Sequence, residues 1–174
     1  VQTIPAEVPY LRADPIKFAH WQKRIDRLGA GRRIGLAWTG NLLPDPGRTI
    51  PGALLAPLAQ LANVHWISLQ KDPGRNPAAP RLPLIDWTDE LRDFDDTAAL
   101  ASAVDHVVSI ESAMAHLGGA LARPVHVLLP YACGWRWLRD RTDSPWYPSA
   151  TLVRQAAPGD WTGVIDRLIA YFRG

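Results

Sequence analysis

The chain has 174 residues, 47% hydrophobic and 21% charged, a composition typical of one globular domain with a well-buried core. Its formal net charge is only +2 and its arginines are scattered, which argues against nucleic-acid binding. The single cysteine, Cys133, excludes an internal disulfide and a cysteine-based metal site. No apolar run approaches the roughly 18 residues of a membrane span, and no signal peptide is recognisable, so we expect a cytoplasmic protein.

The first predicted element is an amphipathic helix near the start of the chain. Asp14 is suited to cap this helix, and Pro15 to occupy its first position. Gly29 supplies a stop, and the apolar positions that recur at helical spacing are Phe18, Trp21, Ile25 and Leu28. We expect residues 1–13, which are rich in proline, to be a linker from a missing amino-terminal region, and residues 14–174 to form the domain.

Short apolar runs further along the chain predict six strands, with helices between them. The predicted strands are residues 34–38, 64–69, 84–86, 106–110, 125–129 and 152–153. Helices are predicted at residues 51–61 and 112–122, with a helical turn at 135–138. Two further helices are predicted from their caps: one capped by Asp96 that runs through Ala103, and a last one capped by Asp160. In the last helix, the positions expected to face inward are Trp161, Val164, Ile165, Leu168, Ile169 and Phe172.

The alternation of strands and helices predicts an α/β fold, a doubly wound parallel Rossmann-like sheet covered on both faces. Right-handed crossovers and a count of six strands favour the strand order 3-2-1-4-5-6. In that order the first and fourth strands are neighbours, and ligands bind beyond their carboxyl ends. The residues that follow these two strands are small or polar: Thr39, Gly40 and Asn41 after the first, and Glu111, Ser112 and Ala113 after the fourth.

The helix after the fourth strand is a candidate phosphate site. Ser112 can cap it, so that the backbone N–H groups of Ser112, Ala113 and Met114 face a ligand. His116 lies one turn further on the same side and can point at the same ligand. The alternatives are an ordinary solvated helix start and a structural histidine. At the first strand, Gly40 would let the backbone approach a ligand closely, although residues 39–41 could equally be a plain turn.

Seven segments, in order, resemble one known family. The segments are residues 35–41, 48–51, 68–72, 93–100, 109–124, 135–138 and 143–148. Together they resemble the carboxyl-terminal, donor-binding half of heptosyltransferase-like enzymes of glycosyltransferase family 9, of the kind fused to tetratricopeptide repeats. The resemblance begins near Pro9 and covers nearly all of the chain. It departs from the family pattern at Glu111, where the family has aspartate, at Ser112, where it has threonine, and at Met114, where it has a small residue.

This resemblance implies one half of a two-domain GT-B fold, in an inverting glycosyltransferase that needs no metal or other cofactor. The substrate would be a nucleotide-diphosphate sugar linked to ADP or UDP. The missing amino-terminal half would bind the acceptor and supply the base, so the fragment alone should be inactive. The partners implied are that half and tetratricopeptide repeats, with no nucleic acid. The alternative is a non-catalytic binding or scaffold module that keeps the fold.

The resemblance also adds residues to the candidate site. The added residues are Arg48, Gln70 and Lys71. The two cations, Arg48 and Lys71, are expected to bind phosphate, although either could be a solvated surface residue. His116 would stabilise the leaving group. Glu111 could hold a sugar or ribose hydroxyl, bond to loop N–H groups, or act as a base, and we favour binding because the base should come from the other half. The full set predicted to bind the donor is Thr39, Gly40, Asn41, Arg48, Gln70, Lys71, Glu111, Ser112, Ala113, Met114 and His116.

Several other residues are expected to be structural. Asp95 and Asp96 are expected to cap a helix rather than to act as catalytic acids. The tryptophans of the 131–148 loop could stack on a sugar or a base, but we favour a role in covering the core. The histidines without metal-ligand spacing, expected to be structural, are His20, His65, His106 and His126.

Overall fold

The computed structural model describes residues 4–40, 46–71 and 81–174. Asn41, a predicted site residue, lies outside these ranges. The strands in the described ranges are β1 (Arg32–Ala37), β2 (Val64–Ser68), β3 (Leu84–Ile85), β4 (His106–Ile110), β5 (Val125–Leu129) and β6 (Ala150–Arg154). The α-helices in the same ranges are α1 (Pro15–Asp26), α2 (Phe94–Ala103), α3 (Ala113–Ala120) and α4 (Trp161–Arg173). The 3-10 helices include Gly52–Gln60 and Trp135–Trp137.

The strands form one parallel sheet in the order β3-β2-β1-β4-β5-β6, which confirms the predicted topology. β1 and β4 are neighbours, with Ala37 opposite Ser109. Because the two strands run in the same direction, the residues that follow them emerge at the same edge of the sheet. The predicted meeting of Thr39 and Ser112 depends on this pairing.

Each face of the sheet carries its own apolar core, as a doubly wound fold requires. One core joins the sheet to α1, α2 and α3, and it includes Trp21, Leu100 and Leu117. The other joins the sheet to α4 and to the 3-10 helix Gly52–Gln60. All six apolar positions predicted to face inward on α4 are buried. The described residues contain no helix that is both long and apolar enough to cross a membrane.

Three helix starts are as the sequence predicts. The Asp14 side chain accepts hydrogen bonds from the Ile16 and Lys17 N–H groups at 2.8 and 3.0 Å. Ser112 caps α3 and Asp160 caps α4 in the same way. Such caps satisfy backbone donors that have no partner inside the helix.

Two predicted helices differ from those observed. The cap of α2 is Asp93, whose Oδ1 accepts from the Asp96 N–H at 2.8 Å, so the prediction that Asp96 caps this helix is wrong. Asp95 and Asp96 instead lie in the first turn, where the helix dipole favours acidic side chains. The predicted helix 51–61 is a 3-10 helix, Gly52–Gln60, and the ring of Pro57 in its interior would clash with the carbonyl four residues earlier in an α-helix.

Part of the predicted linker lies against the domain. Val8 packs on the core that includes α3. The backbone N–H groups of Tyr10 and Leu11 both donate to the Ala120 carbonyl, at 3.1 and 3.2 Å. The described residues just before α1 are therefore attached to the end of α3.

A buried histidine lies in β5 against the end of α4. His126 is 2% exposed, and neither of its ring nitrogens has a hydrogen-bond partner among the described residues. Its ring centroid is 4.2 Å from that of Tyr171 and 5.9 Å from that of His106. Burial, and to a smaller extent the charge of the neighbouring His106, lower the pKa of His126 from its ordinary value of 6.5 to about 4. The charges near His106 are those of Asp105, Arg32 and Arg123.

This histidine should make the fold less stable in mild acid. The unfolded chain takes up a proton near pH 6.5 and the folded chain only near pH 4, so stability is complete above pH 6.5 and is lost as the pH falls towards 4. We expect the free energy of unfolding to drop by about 1–2 kcal/mol between pH 7 and pH 5 through His126 alone. Urea unfolding of the unmodified chain and of His126→Leu at pH 7 and pH 5 checks this expectation. The free energy of unfolding should fall by about 1–2 kcal/mol less in His126→Leu. An equal fall in the two proteins would contradict the expectation.

Candidate functional site

A pocket of about 550 Å³ opens at the carboxyl ends of β1, β2 and β4. The predicted site residues that line it are Thr39, Gly40, Arg48, Gln70, Lys71, Glu111, Ser112, Ala113 and Met114. His116 does not line it. The structure therefore gathers in one place a set of residues that lie far apart in the sequence.

The side chain of Gln70 holds the backbone that leaves β1. Its Oε1 accepts hydrogen bonds from the Trp38 and Thr39 N–H groups, at 3.2 and 3.0 Å. Its Nε2 donates to the Lys71 carbonyl at 3.2 Å. One amide thus joins the segment after β1 to the segment after β2, and Gln70 acts on the backbone of the site.

Gly40 brings the backbone close to the cationic wall of the pocket. A Cβ at this position would lie 3.5 Å from Nε of Arg48 and 3.4 Å from the side chain of Ile110. The Gly40 N–H donates to the hydroxyl of Thr49 at 3.4 Å. A Cβ at this position would therefore make ordinary van der Waals contact with both side chains.

The hydroxyl of Ser112 is already engaged in the start of α3. The Ser109 hydroxyl donates to the Ile110 carbonyl at 2.8 Å, so in its 3.0 Å contact with Ser112 it must accept. Ser112 therefore donates to Ser109 while it accepts from the Met114 N–H at 3.2 Å. Any contact from this helix start to an anion would come from backbone N–H groups and from the helix dipole.

Glu111 bonds to the loop that follows β5. Its two carboxylate oxygens both accept from the Gly134 N–H, at 3.2 and 3.1 Å. Among the three roles open to Glu111 from the sequence, bonding to loop backbone is the one seen in this structure. A Cβ at Gly134 would overlap the Glu111 carboxylate in its present position, so the contact as it stands depends on glycine.

The charges around the pocket favour an anionic ligand. Arg48, Lys71 and Arg92 line it, together with two acids, Asp93 and Glu111. Next to the pocket, Nζ of Lys17 lies 3.5, 2.9 and 2.8 Å from the carboxylates of Asp93, Asp95 and Asp96. The hydrogen bonds from Lys17 lower the pKa of both Asp95 and Asp96. Lys17 therefore counters the negative charge at the start of α2.

Sequence reasoning missed the wall of the pocket that α2 contributes. That wall consists of Arg92, Asp93, Phe94 and Thr97. The signal was present, since α2 leads into β4 and a helix that precedes a parallel strand must begin at the carboxyl edge of the sheet. The acidic residues of this segment were interpreted only as helix caps.

His116 faces the 131–148 loop. Its Nδ1 lies 3.0 Å from the Tyr147 hydroxyl, and its ring stacks on that of Trp137 with centroids 5.2 Å apart. Burial and then the charge of Arg136 lower the pKa of His116, which favours the neutral ring. Its contact with a leaving phosphate stays a prediction. Among the described residues, His, Cys, Asp and Glu form no group of three or more that could hold a metal ion.

Comparison with known proteins finds similarity both in sequence and in structure. No family model matches the chain. It is 29% identical over 182 residues to Protein FlbA of Caulobacter vibrioides, which covers 99% of the chain and 30% of FlbA. The chain thus spans about 30% of the length of this curated relative.

Two solved structures that the chain resembles are glycosyltransferases. ADP-heptose lipopolysaccharide heptosyltransferase II of Escherichia coli matches with a TM-score of 0.63 and 14% identity, over 99% of this chain and 57% of that one. The family 9 glycosyl transferase of Veillonella parvula matches with a TM-score of 0.58 and 11% identity, over 92% of this chain and 51% of that one. The chain has the α/β fold of one half of a GT-B glycosyltransferase.

Proposed function

We propose that this chain is the donor-binding half of an inverting, metal-independent glycosyltransferase, whose substrate is a nucleotide-diphosphate sugar. The observation that carries the proposal is the pocket at the carboxyl edge, which combines the start of α3 with Arg48, Lys71 and Arg92. A helix start and nearby cations are the usual partners of a diphosphate. The matches to glycosyltransferase structures support the same assignment.

The proposed chemistry is electrostatic. An acceptor oxygen forms a bond to the anomeric carbon of the sugar while the bond from that carbon to the diphosphate breaks. The electron pair of the broken bond goes to the diphosphate oxygen, and a base takes the acceptor proton. The N–H groups of α3, with Arg48 and Lys71, would stabilise the charge that develops on the leaving diphosphate. We expect the base and the acceptor site in another half of the polypeptide, with tetratricopeptide repeats, so that this chain alone binds without transferring.

Calorimetric titration tests the proposal directly. ADP, UDP and their sugar derivatives should release heat on binding, and at least one should raise the melting temperature of the chain. Binding in the micromolar to millimolar range corresponds to about 4–8 kcal/mol and is within reach of this method. Failure of every one of these compounds to bind at millimolar concentration would remove the proposed function.

Lys71 should contribute to binding through its charge. It is exposed at the rim of the pocket, so Lys71→Ala should leave the fold intact. We expect Lys71→Ala to weaken the binding of ADP or UDP by about fivefold, or roughly 1 kcal/mol, because one cation facing the diphosphate is lost. The loss should shrink as salt is added.

The matched control for this experiment is Lys23→Ala. Lys23 is an exposed lysine in the last turn of α1, outside the pocket. It should bind both nucleotides like the unmodified chain at every salt concentration. Equal losses in the two variants would show that Lys71 acts only through the overall charge of the protein.

A second candidate function is a non-catalytic binding module with the same fold. Glu111 is hydrogen-bonded to Gly134, and His116 to Tyr147. Because both side chains thus stabilise the 131–148 loop, these contacts favour a binding module. This candidate predicts no affinity for nucleotide sugars. The same titration therefore separates the two functions.

A further inference from the structure

The 131–148 loop places its tryptophans in different environments. Trp137 is fully buried and stacks on His116, so for this residue the expected role in covering the core is confirmed. Trp135 is 68% exposed, and for it the same expectation is wrong. An indole left in water by a loop that buries its neighbour calls for a separate explanation.

The backbone around Trp135 is firmly anchored. On one side, the Gly134 N–H is held by both oxygens of Glu111. On the other side, the guanidinium of Arg154 donates to the carbonyls of Trp137 and Leu138, at 3.3 and 2.6 Å. The exposed indole is therefore carried by a segment that is ordered before any ligand binds, which lowers the entropic cost of binding.

Two further side chains complete a surface around Trp135. The ring of Trp146 meets it edge to face, with centroids 6.1 Å apart. The guanidinium carbon of Arg136 lies 4.9 Å from the centre of the Trp135 ring, and the Arg136 carbonyl accepts from the Trp146 indole N–H at 2.9 Å. We call these three residues the aromatic platform. It combines an open apolar ring with a cation that has several N–H donors.

The aromatic platform is connected to the pocket through Gly134 and Glu111. Trp135 follows Gly134 directly, and the Glu111 carboxylate that holds Gly134 also lines the pocket. Adjacent Cα atoms are about 3.8 Å apart, so the Cα of Trp135 lies within about 8 Å of that carboxylate. The start of α2 forms another wall of the same pocket.

We propose that the aromatic platform is the subsite for the sugar ring of the donor, with the diphosphate at the start of α3 and the nucleoside towards α2. This rests on the proposed function. One face of a sugar ring presents C–H groups, which pack on an indole, and its edge presents hydroxyls, which accept from a guanidinium. A carboxylate oxygen of Glu111 keeps a free lone pair for a sugar hydroxyl besides its bond to Gly134.

Comparing each diphosphate with its sugar derivative tests this subsite. The probes are ADP with ADP-glucose and ADP-heptose, and UDP with UDP-glucose and UDP-N-acetylglucosamine. In the unmodified chain, at least one sugar derivative should bind about threefold to tenfold more tightly than its diphosphate. Its sugar protons should also receive magnetisation from the protein in saturation-transfer NMR. Trp135→Ala should lose both effects and still bind the diphosphate with unchanged affinity.

The controls are Trp135→Phe, which keeps an aromatic ring, and Tyr131→Ala, which removes another exposed ring of the same loop. Trp135→Phe should keep most of the added affinity, and Tyr131→Ala all of it. The subsite is overturned if Trp135→Ala weakens diphosphate and sugar derivative equally, or changes neither, or if no sugar adds affinity in the unmodified chain. Those results leave the proposed function standing as long as the diphosphates bind, whereas no binding of any probe removes both.

Discussion

Replacement of Ser112 by aspartate should abolish the binding of ADP and UDP to this chain. Ser112 caps α3 and lines the pocket. Aspartate is also a good helix cap, so the variant should fold normally. Its carboxylate would, however, place a negative charge where the proposed diphosphate meets the N–H groups of α3. We expect calorimetry to show at least a hundredfold loss of affinity, equivalent to about 2.7 kcal/mol.

The matched control is Ser112→Asn. Asparagine has nearly the size and shape of aspartate and caps helices equally well, but it is neutral. Ser112→Asn should bind within a few fold of the unmodified chain, so that the difference between the two variants measures the charge alone. Unchanged affinity in Ser112→Asp would show that no anion binds at the start of α3.

Gly119→Ala should destabilise the fold by about 2 kcal/mol. A Cβ at Gly119 would overlap the ring of Tyr147 close to its attachment point, and Tyr147 is buried and bonded to His116. Overpacking of this kind costs about 1–3 kcal/mol, and the better helix propensity of alanine recovers about 1 kcal/mol at most. The melting temperature should fall by roughly 4–8 °C, measured by circular dichroism.

The adjacent glycine provides the control. A Cβ at Gly118 would lie 3.5 Å from Val107 and Val125, which is ordinary contact. Gly118→Ala should therefore leave stability unchanged or raise it by up to about 1 kcal/mol, through helix propensity. Equal effects of the two substitutions would mean that α3 does not pack on Tyr147 as described.

Much of the architecture could be predicted from local patterns. Buried parallel strands are short apolar runs, and β4 and β5 have the predicted bounds. The caps Asp14, Ser112 and Asp160 could be predicted because capping is a local interaction between a side chain and the next turn. The sheet order followed from the right-handedness of the crossovers.

The candidate site could be predicted only in part, because side-chain direction depends on tertiary packing. Helical spacing predicted that His116 lies on the same side of α3 as Ser112. In the structure, the buried ring of Trp137 and the hydroxyl of Tyr147 hold the His116 side chain against the 131–148 loop instead of in the pocket. In the same way, no local pattern distinguishes the exposed Trp135 from the buried Trp137.

The bond between Glu111 and Gly134 has a consequence for how such sequences can change. The carboxylate of Glu111 reaches the Gly134 N–H in its present position because residue 134 has no side chain in the way. A mutation that adds a side chain at 134 would therefore displace the Glu111 carboxylate from the loop. The two positions, 23 residues apart, are coupled through this one contact.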